Sequence, residues 1–337
     1  MPSRWCFLTF ACHLPSRYVA GGAHHHVSCH LDISAPFTHS TDRTFERNRY
    51  VRIVTTGSSE WAVSVKDDAV LYEVEGTIAL ITINRPTAAN SLTAESIRSL
   101  EKYTAAADRD PGVRVIVLTS AGDGAFCAGA DLGELFPLLQ RDGHPGVVVS
   151  DPQERFFSRV RKPVIGAITG ACIGGGVELA LGCDLRVCDE SASFALAEVR
   201  WGLVPVGGGT LRLPIQIPYA IAMEMLLTGR PLSAERALQY GLVNYVVSRV
   251  EVLATAMRIA RLIAENSPRA TVIAKQLARD TVEPREMFAA EYESAGAMLA
   301  GPDAAEGVAA FRTKSKPTYA HYSASKAEEI TTGLETR

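Results

Sequence analysis

Residues 163–188 read PVIGAITGACIGGGVELALGCDLRVC. An apolar, β-rich run, Pro163–Thr169, passes into a glycine loop, Gly170–Gly176, and then into Gly176–Leu181, which reads as the start of a helix. A short strand, Leu185–Cys188, follows. The same grammar stands upstream. There Val113–Thr119 is a strand, Ser120–Asp131 (SAGDGAFCAGAD) is a glycine-rich loop, and a helix begins near Asp131.

Working outward, Val70–Val74 and Thr77–Asn84 flank Glu75-Gly76 and predict a hairpin. Thr93 suits a helix N-cap and Glu95 its first turn, with the helix running to Ala107 and Pro111-Gly112 ending it. Ser193–Leu196 is a further short strand. Helices are expected over Ala220–Leu227, Ala234–Tyr240, Val252–Glu265, Arg269–Arg279, Arg285–Leu299 and Ala304–Thr313. Strand–strand–helix units followed by helices predict an α/β core over 67–218, a helical region over 219–320 and a tail over 321–337.

Residues 1–66 are unlike the rest. They hold six of the eight histidines and no acid before Asp32, and they show no sustained hydrophobic period. They are expected to be a disordered extension outside the catalytic core. Arg, Ser and Thr without acids also fit a transit peptide or an upstream start. His24–His26 with Cys29 and His30 could bind metal only as a flexible cluster, so no metal site is assigned.

Of the 337 residues, 47% are hydrophobic and 21% charged, which excludes disorder over most of the chain. A formal charge of −3 does not suit a strongly basic nucleic-acid binder. No apolar run is long enough to cross a membrane. The seven cysteines fit neither a zinc ribbon nor a dense disulfide framework, which favours a reducing compartment.

Helix N-terminal N–H groups aimed by glycine stabilise negative charge. Two such loops supplying one donor each have the composition of an oxyanion hole. No Lys-Ser/Thr follows Gly174, so the loop is not a P-loop, and GxGxxG fails at both Gly174–Leu179 and Gly207–Arg212. Glu178 sits in the first turn after the glycine run, and Glu198 ends SFALAE. Either alone would pass as structural. Together beside a glycine-lined pocket they suit addition or removal of water, one deprotonating the water and the other serving the carbon.

At these residues the chain resembles the crotonase, or enoyl-CoA hydratase/isomerase, superfamily. The agreement includes ITINRPTAANSLT (81–93), AFCAGADL (125–132), GACIGGGVELALGCDLRV (170–187) and LTGRPLSAERALQYGLVN (227–244). The resemblance implies a spiral of ββα units whose C-terminal helices build trimers or dimers of trimers. It implies an acyl-CoA thioester substrate, with CoA arriving on the substrate and no separate cofactor. The oxyanion N–H groups fall on Ala130 and Gly175, the hydratase glutamates on Glu178 and Glu198, and further substrate contacts on Ala128, Asp131, Leu132 and Gly174.

Hydration of a 2-trans-enoyl-CoA is the leading expectation. An isomerase, a specialised acyl-CoA dehydratase and an RNA-associated binding protein are the alternatives, although no nucleic-acid or membrane partner is expected. The expected location is the cytoplasm, or the mitochondrial matrix if a transit peptide is present. Three positions depart from the family pattern: Val206 for a frequent Gly, Gly133 for a Lys, and Ala197 for a Pro. The acyl tail is expected against Gly133–Val149, read as a loop, and Trp201–Val206. His144 reads as a loop histidine. Lys314 and Lys316 suit either CoA phosphates or a solvated tail.

Overall fold

The computed structural model describes residues 51–55, 61–65 and 69–319. The expectations for the histidine-rich start and for the tail beyond 319 lie outside the described residues. Within the expected extension, β1 (Val51–Thr55) and β2 (Trp61–Val65) pair antiparallel as a two-stranded sheet. Their β-branched composition, VRIVT and WAVSV, suits that ladder. The sequence reading had expected no regular structure there.

The main sheet opens with the expected hairpin, β3 (Val70–Glu75) and β4 (Ile78–Ile83), turning at Gly76. Helix α1 (Ala94–Arg109) follows, its N-terminus closed by a capping box in which Thr93 and Ser96 bond reciprocally. Next come β5 (Val115–Ser120), α2 (Leu132–Asp142), β6 (Val164–Ile168), β7 (Ala171–Ile173), α3 (Gly175–Gly182), β8 (Leu185–Asp189) and β9 (Ser193–Ala195). The rest is largely helical: α4 (Gly209–Gln216), α5 (Tyr219–Thr228), α6 (Ala234–Gln239), α7 (Val252–Ala264), α8 (Pro268–Val282), α9 (Phe288–Leu299) and α10 (Pro302–Thr313). Two short strands interrupt it, β10 (Leu232–Ser233) and β11 (Tyr245–Val247).

Six strands form one sheet in the order β11-β8-β6-β5-β4-β3, parallel except for β3 against β4. A smaller sheet runs β10-β9-β7. The chain thus steps twice from the large sheet into the small one, β6 to β7 and β8 to β9. That stepping is the ββα spiral.

The large sheet is covered on both faces, which explains why its strands read as unbroken apolar runs. Val115, Val117, Ile165 and Val187 pack under Ala256, Ile259 and Ala260 of α7. Their alternates, Ile116, Leu118 and Ile168, share the opposite core with Leu100 of α1 and Leu179 of α3. Because β10, β11 and α7 all come from beyond residue 219, the helical region completes both sheets and closes one face. It does not stand apart from the core.

Candidate active site

The two glycine loops meet because β7 brings them together. Cys127 N–H donates to Ala171 O (3.2 Å), and Ile173 N–H donates to Cys127 O (2.9 Å). Gly176 makes the approach possible, since a Cβ there would lie 2.6 Å from Cys127 O. A second stitch ties Leu92 to the first loop: Leu92 N–H donates to Gly129 O (2.7 Å) and Asp131 N–H to Leu92 O (2.8 Å). In such a parallel bridge the residue between, Ala130, directs its own N–H away from its partner. Gly175 is the first residue of α3, so its N–H has no acceptor within the helix. The two backbone N–H groups, from different loops, come close together, a Cβ on Gly175 falling 4.0 Å from Ala130 N.

Glu178 lies in the first turn of α3 and is only 3% exposed. Its Oε1 accepts from Gly207 N–H (2.6 Å) and Gly209 N–H (3.1 Å), which precede and open α4. Glycine keeps the carboxylate in place at 207, where a Cβ would fall 2.7 Å from Glu178 Oε2 and 2.8 Å from the Phe156 ring. Burial pushes the Glu178 carboxyl up, and the Glu291 carboxylate pushes it further, against the pull of the two N–H donors and Arg155. Glu198 begins a 3-10 turn, Glu198–Trp201. Its Oε2 is buried without a hydrogen-bond partner. Burial, then the Glu178 charge, raises the proton affinity of Glu198 as well.

The two carboxyls are electrostatically linked, so they titrate as a pair. Their hydrogen-bonding surroundings differ. Glu178 accepts two backbone N–H bonds, which favour its charged form. Glu198 has an oxygen that nothing donates to, which favours its neutral form.

Ala128, Ala130, Leu132, Gly174, Gly175, Glu178 and Glu198 all line one cavity of about 170 Å³. Asp131, expected as a substrate contact, does not line it. Its carboxylate is held by Arg85 at 3.1 Å. The helix expected to begin near Asp131 is α2, and it takes up most of the stretch 133–149 that was also read as a loop, despite Pro137, with a 3-10 turn following at Pro145–Val147. Leu135 and Leu139, on one face of α2, line the cavity together with Val148 and Leu299. Trp201–Val206 does line it, as expected, and so does Ala197. Gly133 falls in the first turn of α2.

His144 is a local tie, its Nδ1 accepting from Gly146 N–H at 3.0 Å and meeting Tyr292 Oη at 3.1 Å. Lys314 and Lys316 are exposed. Cys127, Cys172, Cys183 and Cys188 are buried free thiols. Among the described residues no three or more His, Cys, Asp or Glu side chains come together as a metal site, and no helix is long and apolar enough to cross a membrane.

Sequence reasoning missed the carboxylate-holding role of Gly207 and Gly209. A visible signal existed, three glycines opening a helix, but it was tested only as a nucleotide loop. Arg155 and Glu291, which approach Glu178 from elsewhere in the chain, left no such signal.

Residues 73–322 match the family model described as Enoyl-CoA hydratase/isomerase. The chain is 36% identical over 259 residues to "Enoyl-CoA hydratase EchA19" of Mycobacterium tuberculosis, covering 74% of this chain and 95% of that protein. It is 38% identical over 250 residues to the carnitinyl-CoA dehydratase of Escherichia coli K12, covering 72% and 95%. Among solved structures, the carnitinyl-CoA hydratase of Mycobacterium avium superposes with a TM-score of 0.67 at 36% identity, over 75% of this chain and 99% of that one. The match takes in both glycine loops, both glutamates and the helices behind them, and the chain belongs to the enoyl-CoA hydratase/isomerase family, with its crotonase-like α/β fold.

Proposed function

We propose that this enzyme of the crotonase superfamily is an enoyl-CoA hydratase, adding water syn across a 2-trans-enoyl-CoA to give a 3-hydroxyacyl-CoA. The observation that carries the reading is the pairing, on one cavity, of Glu178, held by two backbone donors, with Glu198, whose buried Oε2 has no hydrogen-bond partner. Ala130 and Gly175 N–H groups take the thioester oxygen as it gains enolate charge. Glu178 orients a water and accepts its proton while the oxygen attacks the β carbon. Glu198 delivers its proton to the α carbon, and proton exchange restores the pair. No separate cofactor enters this reaction, because CoA arrives on the substrate.

A specialised dehydratase is the second reading, favoured by the similarity to carnitinyl-CoA dehydratases. Against it, among the described residues Glu178 and Glu198 are the only ionisable groups lining the cavity. The apolar lining of Leu135, Leu139, Val148 and Leu299 suits an uncharged acyl chain. Incubation with short, medium and branched 2-trans-enoyl-CoAs, with products identified by mass, tests the reading. A product heavier than substrate by one water is expected. Conversion of a trimethylammonium-bearing hydroxyacyl-CoA in preference to all of these would favour the second reading.

A further inference from the structure

We infer that Arg155, Thr210 and Glu291 are positioning residues that brace the Gly207–Gly209 donors against Glu178. The inference rests on the hydratase reading of Glu178. Glu291 stands on α9, 6% exposed. Its Oε2 accepts from Arg155 Nε at 2.5 Å, and its Oε1 accepts from the Thr210 hydroxyl. Arg155 is anchored in turn, donating to Pro152 O, Glu154 O and Phe288 O. Its stem packs on Gly208, where a Cβ would lie 3.4 Å from Arg155 Cγ.

Thr210 directly follows Gly209. Holding its hydroxyl to α9 therefore fixes the turn from which Gly207 and Gly209 point at Glu178 Oε1. Three consecutive glycines are the most freely rotating backbone a chain can have. Unbraced, the two donors would not stay aimed at one oxygen. A buried ion pair contributes little net stability over an apolar replacement, so stability alone is a weak reason for this one.

The brace also carries charge. Facing Glu178 are Glu198 from the 3-10 turn, Glu291 from α9 and Arg155 from the segment before β6. Arg212 of α4 adds its charge near Glu291 and is itself paired with Glu283. Glu291 raises the proton affinity of Glu178 and Arg155 lowers it.

The test uses the full chain carrying Thr210→Val, Thr210→Ser or Glu291→Gln. Melting temperature, kcat and KM on an enoyl-CoA, and the pH profile of kcat are measured for each. Small misplacements near reacting groups cost up to about 10²-fold. Thr210→Val is expected to stay folded, lose kcat by about tenfold or more and keep KM within about threefold, with Thr210→Ser restoring the rate. Glu291→Gln removes a like charge, so its acid limb should move to lower pH. Should that variant not fold, with the Arg155 charge left without its carboxylate, the two Thr210 variants decide. The brace is also read without turnover, from the carboxyl infrared titration of Glu178 assigned by difference against Glu178→Gln. That titration should move in Thr210→Val. A folded Thr210→Val with parental kcat, pH profile and Glu178 titration overturns the brace. A parent that hydrates nothing, with the Glu178 titration still displaced in Thr210→Val, overturns the hydratase reading and leaves the brace standing.

Discussion

Glu198 exposes the trade between stability and chemistry at a single residue. Its buried Oε2 lacks a donor, and burial together with the Glu178 charge raises the proton affinity of its carboxyl. In the unfolded chain a glutamate titrates near about 4.3. A folded-state value above the unfolded one means that the native state holds the proton more tightly. The corresponding stability is complete below the unfolded value and is lost as pH rises through the folded one. Glu198→Gln, neutral at every pH, escapes that loss. It should melt higher than the parent at pH 9, by roughly 2–4 °C per kcal/mol recovered, with the advantage gone by pH 4. Its hydration rate should fall about 10²–10⁴-fold. Thermal melts across that range, paired with rates, check both signs. A variant less stable than the parent at pH 9 would mean that the carboxylate is well solvated.

At the scale of elements, the opening of α4 decides whether Glu178 has its donors. A Gly207→Ala methyl must displace either the Glu178 carboxyl or the Phe156 ring. The expected result is a folded protein with at least about 10²-fold lower kcat, since a misplaced base loses its geometry. Circular dichroism and kinetics on the same sample check this.

The element scale is also where the sequence was legible and where it was not. The β3–β4 hairpin, α1 with its Thr93 cap, β5, β6 and the later helices were readable because each declares itself locally by period, cap or turn. The three-residue strands β7 and β11 were not, because their ladders come from distant partners: Cys127 and β9 for the first, β8 for the second. Helix α4 was masked by its glycine start and by Pro214. Glu178 was legible behind its glycine run, and Glu198, ending SFALAE, only in combination with it. The Arg155–Glu291 pair, 136 residues apart in sequence, was not.

For the whole molecule, the outer helices leave apolar side chains uncovered, with Leu227 69% and Leu277 65% exposed. Large apolar side chains uncovered in this way suit association with further copies. We propose a trimer or dimer of trimers, to be read by sedimentation. A stable, active monomer would contradict that. The central claim concerns the two carboxyls acting together on one cavity, and hydration of a 2-trans-enoyl-CoA in D2O tests it most directly. NMR of the product should place one deuterium at the α carbon, in the syn relation to the new β hydroxyl. Anti addition, scrambled deuterium, or a double bond displaced without uptake of water would contradict the account.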